Sequence, residues 1–95
     1  MQLREKAEIL SEAIMKELTS LRIANGLSKN EAATRAGLAV SFVSNLESGK
    51  RRPGVETLAK LAWVYKSAPS EILACCEKTV NEALESLASD KKEKK

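Results

Sequence analysis

Two glycines, Gly37 and Gly49, constrain this chain more than any other feature. They punctuate the stretch Ser28 to Pro53, SKNEAATRAGLAVSFVSNLESGKRRP, and cut it into two short helical segments. Ser28 with Glu31 three positions on forms a capping box, in which each side chain satisfies a free amide at a helix start. The segment that follows, roughly Lys29–Ala36, holds Ala32, Ala33 and Ala36, small enough to let a crossing helix approach closely. Gly37 ends it, because glycine takes the left-handed conformation of a helix C-terminus without steric penalty. Leu38, Ala39 and Val40 lead into a third helix, roughly Val40–Ser48, whose Val43 and Leu46 face inward. Ser41, Phe42, Ser44, Asn45 and Ser48 are left to its outer faces. Gly49 terminates that helix, and three consecutive cations follow, Lys50, Arg51 and Arg52. Pro53-Gly54 then marks a turn and a restart.

The flanks are helical as well. Leu3, Ala7, Leu10, Ile14, Leu18 and Leu21 recur at spacings of four or three, which predicts one helix over 3–25. Asn25-Gly26 stops it. The second half of this stripe suits the domain core, whereas the first half needs another surface to cover it. Val55–Tyr65 reads as a fourth helix with Leu58, Leu61, Ala62 and Tyr65 inward, and Lys66-Ser67-Ala68 as a short loop. Pro69 fits the first position of a fifth helix, where its missing amide costs nothing. Ile72, Leu73, Cys76, Val80, Ala83, Leu84 and Leu87 keep helical spacing to about Ala88. The apolar-free tail, residues 89–95, is expected to be disordered. The fold class is therefore all-α. Residues 1–13 form an extension continuous with helix 1, 14–73 the central domain, and 74–88 a C-terminal helical extension.

Ninety-five residues suit one domain with one modest core. No apolar run is long enough to span a bilayer, and the amphipathic, acid-containing N-terminus is not a secretory signal, so a cytoplasmic location without membrane contact is expected. Cys75 and Cys76 are adjacent and cannot close an unstrained disulfide. They read as one semi-buried and one exposed thiol. With no histidine and no second cysteine pair, the ligand set of a structural zinc site is missing. Net charge is only +3, but residues 14–73 hold nine Lys or Arg against five acids, so the positive excess lies in the segment with the two short helices. Such a patch gains affinity for a phosphate backbone by releasing counterions.

The pattern resembles the Xre-type, lambda-repressor-like helix-turn-helix family. The matching elements are Leu21-Arg22, Gly26-Leu27-Ser28, Glu31, Ala33, Gly37, Ser41, Val43-Ser44, Glu47, Gly49-Lys50-Arg51, Pro53, Thr57-Leu58, Leu61-Ala62 and Glu71-Ile72-Leu73. They cover about two-thirds of the chain, from Ile14 to Leu73. The resemblance implies five helices, of which the third enters the major groove of double-stranded DNA. Val40, Ser41, Phe42, Ser44 and Asn45 would then face base edges, with Lys29, Lys50, Arg51 and Arg52 on phosphates. Where the family often has glutamine, this chain has Lys29 and Val40. Lysine still reaches phosphate as a point charge. Valine offers only apolar contact, for instance to a thymine methyl. Ala39 replaces the serine that usually caps helix 3, so that cap weakens or moves to Ser41. Few direct base contacts remain, and DNA shape must supply more of the specificity.

Two readings stay open at several residues. Phe42 contacts thymine methyls or folds back on Leu46 or helix 2. Glu47 is expected to hold the amides of the turn after helix 3, and Trp63 to belong to the core or an interface. The flanking stripes cover each other or build a homodimer, the latter favoured because operators read in this way usually have two-fold symmetry. No residues form a catalytic constellation, so the chain is not expected to be an enzyme, and no cofactor or small-molecule ligand is implied. The expected function is transcription regulation at a promoter. The alternative is a protein-interaction module that reuses the fold without binding specific DNA.

Overall fold

Five α-helices follow in the order α1 (Leu3–Ala24), α2 (Lys29–Ala36), α3 (Val40–Glu47), α4 (Val55–Val64) and α5 (Pro69–Glu93). The computed structural model describes the backbone of residues 2–93 and the side chains of residues 2–86. The two long helices α1 and α5 pair extensively, while α2 packs on both α3 and α4. The core is built from all five helices. Leu18, Val43, Leu46 and Leu61 are its largest fully buried side chains, joined by Ala32 and Ala62, Ile72 and Cys76. Burying a leucine or valine in this way contributes about 1.5–3 kcal/mol each. The alanines of α2 act as expected: Ala32, Ala33 and Ala36 are all buried, and their small size brings α3 and α4 close.

Local signals set the ends of α2. The Ser28 hydroxyl accepts from the Glu31 amide at 3.1 Å, and the Glu31 carboxylate accepts from the Ser28 amide at 3.1 Å. These bonds hold the Glu31 carboxyl below its ordinary range, the backbone bond from Ser28 contributing most. At the other end Gly37 takes φ 71°, and the amides of Gly37 and Leu38 return to the carbonyls of Thr34 and Ala33. At the end of α1 the left-handed residue is Gly26, with φ 69°. Asn25 stays at φ −85°, and its side-chain amide donates to the carbonyls of Leu21 (2.8 Å) and Tyr65 (3.1 Å), tying the ends of α1 and α4 together.

Several expectations need correction. α1, α3 and α4 each end one residue earlier than spacing predicts, with Asn25, Ser48 and Tyr65 as C-caps. α5 runs past Ala88 to Glu93, so residues 89–93 are helical and not a disordered tail. No glycine or proline follows Ala88, and lysine and glutamate are good helix formers. Lys94 and Lys95, the rest of that tail, and the side chain of Leu87 lie outside the described residues. Met15, absent from the stripe of spaced residues, is buried, whereas Leu3 is 82% exposed. Trp63 is not in the core: it is 66% exposed on α4. Val80 is buried and Leu10 packs against the core, so the α1 and α5 extensions cover each other this far without a second chain. The two thiols divide as the sequence suggests, Cys75 exposed and Cys76 buried. Burial pushes the Cys76 thiol up.

Candidate nucleic-acid interface

α3 presents its outer face next to the Lys50–Arg52 loop, and that loop is held by the helix it follows. The Asn45 carbonyl accepts hydrogen bonds from the amides of Lys50 (2.9 Å) and Arg51 (3.1 Å) and from the Ser48 hydroxyl (3.2 Å). Gly49 makes this wrap possible with φ 85°, a conformation that side-chain-bearing residues rarely adopt. The backbone of Lys50 and Arg51 is thereby held against the last turn of α3, with Arg52 next in the chain and all three side chains exposed.

Of the expected base-facing residues, Val40 and Ser41 are exposed at the start of α3, and Ser44 and Asn45 are half-buried one turn on. Phe42 is half-buried and packs against the core, so only part of its ring is offered outward. Of the expected phosphate-facing residues, Lys29, Lys50, Arg51 and Arg52 are all exposed. Lys29 begins α2, separated in sequence from the other three by the whole of α3. Arg52 lies 3.9 Å from the Glu8 carboxylate of α1. Ala39 is the N-cap of α3 and makes no side-chain cap bond, and no side-chain hydrogen bond of Ser41 replaces it among the described residues.

The end of α3 is fastened to α1 by a residue pair that sequence spacing does not reveal. The Arg22 guanidinium grips Glu47 with two bonds, Nε to Oε2 at 2.7 Å and Nη2 to Oε1 at 2.9 Å. Its Nη1 donates to the Leu27 carbonyl at 2.8 Å. Glu47 therefore does not hold the amides of the following turn, as expected from its position; it fastens the end of α3 to α1. The side chains are only 13% and 8% exposed, so this is a nearly buried, bidentate ion pair. The Glu47 bond raises the Arg22 pKa above its ordinary value, against the opposing effect of burial. Both residues belong to the elements that carry the family resemblance, but they stand 25 positions apart. Only the packing of α3 on α1 joins them.

The helix-turn-helix family pattern matches residues 18–72. The HTH-type transcriptional regulator PuuR of Escherichia coli (strain K12) is 40% identical over 63 residues, which are 66% of this chain and 34% of that protein. The chain thus spans about a third of the length of the curated relatives it matches. Among solved structures, the clp gene regulator ClgR from Corynebacterium glutamicum superposes with a TM-score of 0.69 at 26% identity, covering 84% of this chain and 87% of that one. A chain of the SinR protein/SinI protein complex superposes with a TM-score of 0.61 at 27% identity, covering 81% and 76%. With more than half its length inside the family pattern and its α2–α3 unit intact, this chain belongs to the Xre-type, lambda-repressor-like helix-turn-helix DNA-binding family.

Proposed function

We propose that the chain binds double-stranded DNA as a homodimer, with α3 of each protomer in the major groove of one half-site, and that it controls a promoter by occupying it. Residues 14–73 form the DNA-binding unit in this reading. The supporting observation is the Lys50–Arg52 loop, tied by Asn45 to the end of a helix whose first turn is exposed. Val40, Ser41, Ser44 and Asn45 face bases, with Asn45 able to pair with adenine and Val40 to pack on thymine methyls. Lys29, Lys50, Arg51 and Arg52 take phosphates. Two-fold symmetry sets the half-sites roughly 34 Å apart. The dimer contact falls on the C-terminal part of α5, where Ala83 and Leu84 are half-buried. A DNA-bound regulator also places the chain in the cytoplasm.

The test is a double charge reversal, Lys50→Glu with Arg51→Glu, in a mobility-shift assay at low salt. Loss of binding is expected, and unchanged binding refutes the assignment of the loop. Sedimentation over a concentration series checks the dimer, which a monomer at tens of micromolar refutes. The second reading, a protein-interaction module, draws on exposed Trp63 and on the short hydrogen-bonding inventory of α3. Selection of genomic fragments on the pure protein separates the two, because only a specific reader returns one shared operator.

A further inference from the structure

We propose that the N-terminal extension of α1 belongs to the DNA interface, with Arg4 and Arg52 together binding one backbone phosphate that Glu8 keeps masked in the free protein. This inference rests on the DNA-binding reading above. Two arginines from distant parts of the chain approach the same carboxylate oxygen. Arg4 Nε is 3.5 Å from Glu8 Oε1, one turn away on α1, and Arg52 Nη2 is 3.9 Å from that same oxygen. The second turn of α1 therefore lies within a side chain's reach of the loop that follows α3. Farther along, α1 borders the end of α3 across an open groove of about 640 Å³, with Lys16, Thr19 and Ser20 on one side and Ser48 and Gly49 on the other. The extension thus lies beside the loop that carries Arg52 and, just before it in the chain, Lys50 and Arg51.

The charges favour an exchange. Two guanidiniums share one carboxylate, which leaves a net positive charge to attract an anion. The Glu8 side chain is 41% exposed, and its longer contact exceeds hydrogen-bond distance. Exposed ion pairs of this kind gain little in water. A phosphate diester carries the same single charge and matches the planar donor fork of arginine, so it displaces Glu8 without leaving either arginine unpaired. Unlike Glu8, it also brings the counterion release that accompanies DNA neutralisation.

The experiment measures binding to a non-operator duplex over a salt series for the full chain and for Arg4→Ala and Glu8→Gln. Both positions are on an exposed or half-exposed helix face, and circular dichroism checks that helix content is kept. Arg4→Ala is expected to make the slope of log K against log salt shallower by about 0.9, the share of one phosphate. Glu8→Gln is expected to bind roughly threefold to tenfold tighter at low salt, the gain fading as added salt screens the removed charge. Wild-type affinity and slope in both variants overturn the inference, as does weaker binding by Glu8→Gln. Wild-type binding, and its loss on reversing Lys50 and Arg51, tests the DNA-binding reading separately, so either can fail without the other.

Discussion

Replacing Arg22 by alanine is expected to remove about 3 kcal/mol of folding stability. The change deletes two charge-assisted bonds to Glu47, at 2.7 and 2.9 Å, and a third to the Leu27 carbonyl at 2.8 Å. It also leaves Glu47, only 8% exposed, without its cation. Breaking a buried pair by removing one partner costs about 3–5 kcal/mol, and the residual exposure of both side chains places this pair at the low end. For a domain whose total stability is about 5–15 kcal/mol, that is a large fraction. Urea unfolding followed by circular dichroism reads it directly. With a slope of about 1.5 kcal/mol per molar, the midpoint falls by about 2 M. The paired replacement Arg22→Met with Glu47→Leu is expected to recover most of the loss, because apolar side chains of similar size need no partner. A loss below about 1 kcal/mol for Arg22→Ala refutes the assignment. So do Arg22→Met and Glu47→Leu losses that simply add in the double variant, with a coupling under about 0.5 kcal/mol.

Gly37→Ala is expected to cost about 1–2 kcal/mol in the same assay, because φ is 71° while a new Cβ meets no atom within 4 Å; a neutral result contradicts a purely conformational role. Tyr65, the one tyrosine, is buried and its phenol is pushed up to about 12, first by burial and then by the nearby Glu47 charge. A folded pKa above the unfolded value means the contribution is whole below pH of about 10 and is lost as pH rises toward 12. Phenolate absorbance should therefore appear late in the folded protein, and Tyr65→Phe should flatten stability across that window. A thiol reagent should modify Cys75 in the native state and reach Cys76 only on unfolding, since one is exposed and the other 2% exposed. Equal rates would mean that α5 does not pack on α1 as described.

The features legible in the sequence are those whose energetics are local. The Ser28–Glu31 box acts over three residues, and Gly37 and Gly49 each answer a backbone angle at their own position. The bounds of α2 therefore match the spacing, while α1, α3 and α4 each end one residue before the predicted bound. At the α5 end no breaker residue stops the helix at Ala88, and the compositional argument for disorder misses the intrinsic helix preference of residues 89–93. The candidate interface divides in the same way. That α3 is followed by three cations is plain in the chain, and so is its lack of glutamine at Val40.

What only the tertiary structure decides is where long side chains find partners. Arg22 and Glu47 sit in different helices, and neither spacing nor composition distinguishes them from solvated charges until α3 docks on α1. Arg52 and Glu8 are farther apart still, and their approach depends on the path of the α3–α4 loop past the extended α1. Phe42 and Trp63 show the same limit: helical periodicity gives each an angular position, but exposure depends on which neighbouring helix arrives there. Sequence by itself determined the helices, their breaks and the place of the positive charge, because these follow from short-range sterics, capping and composition. The packing of five helices decided which charges are paired and which apolar residues stay in water, because those depend on contacts between residues distant along the chain.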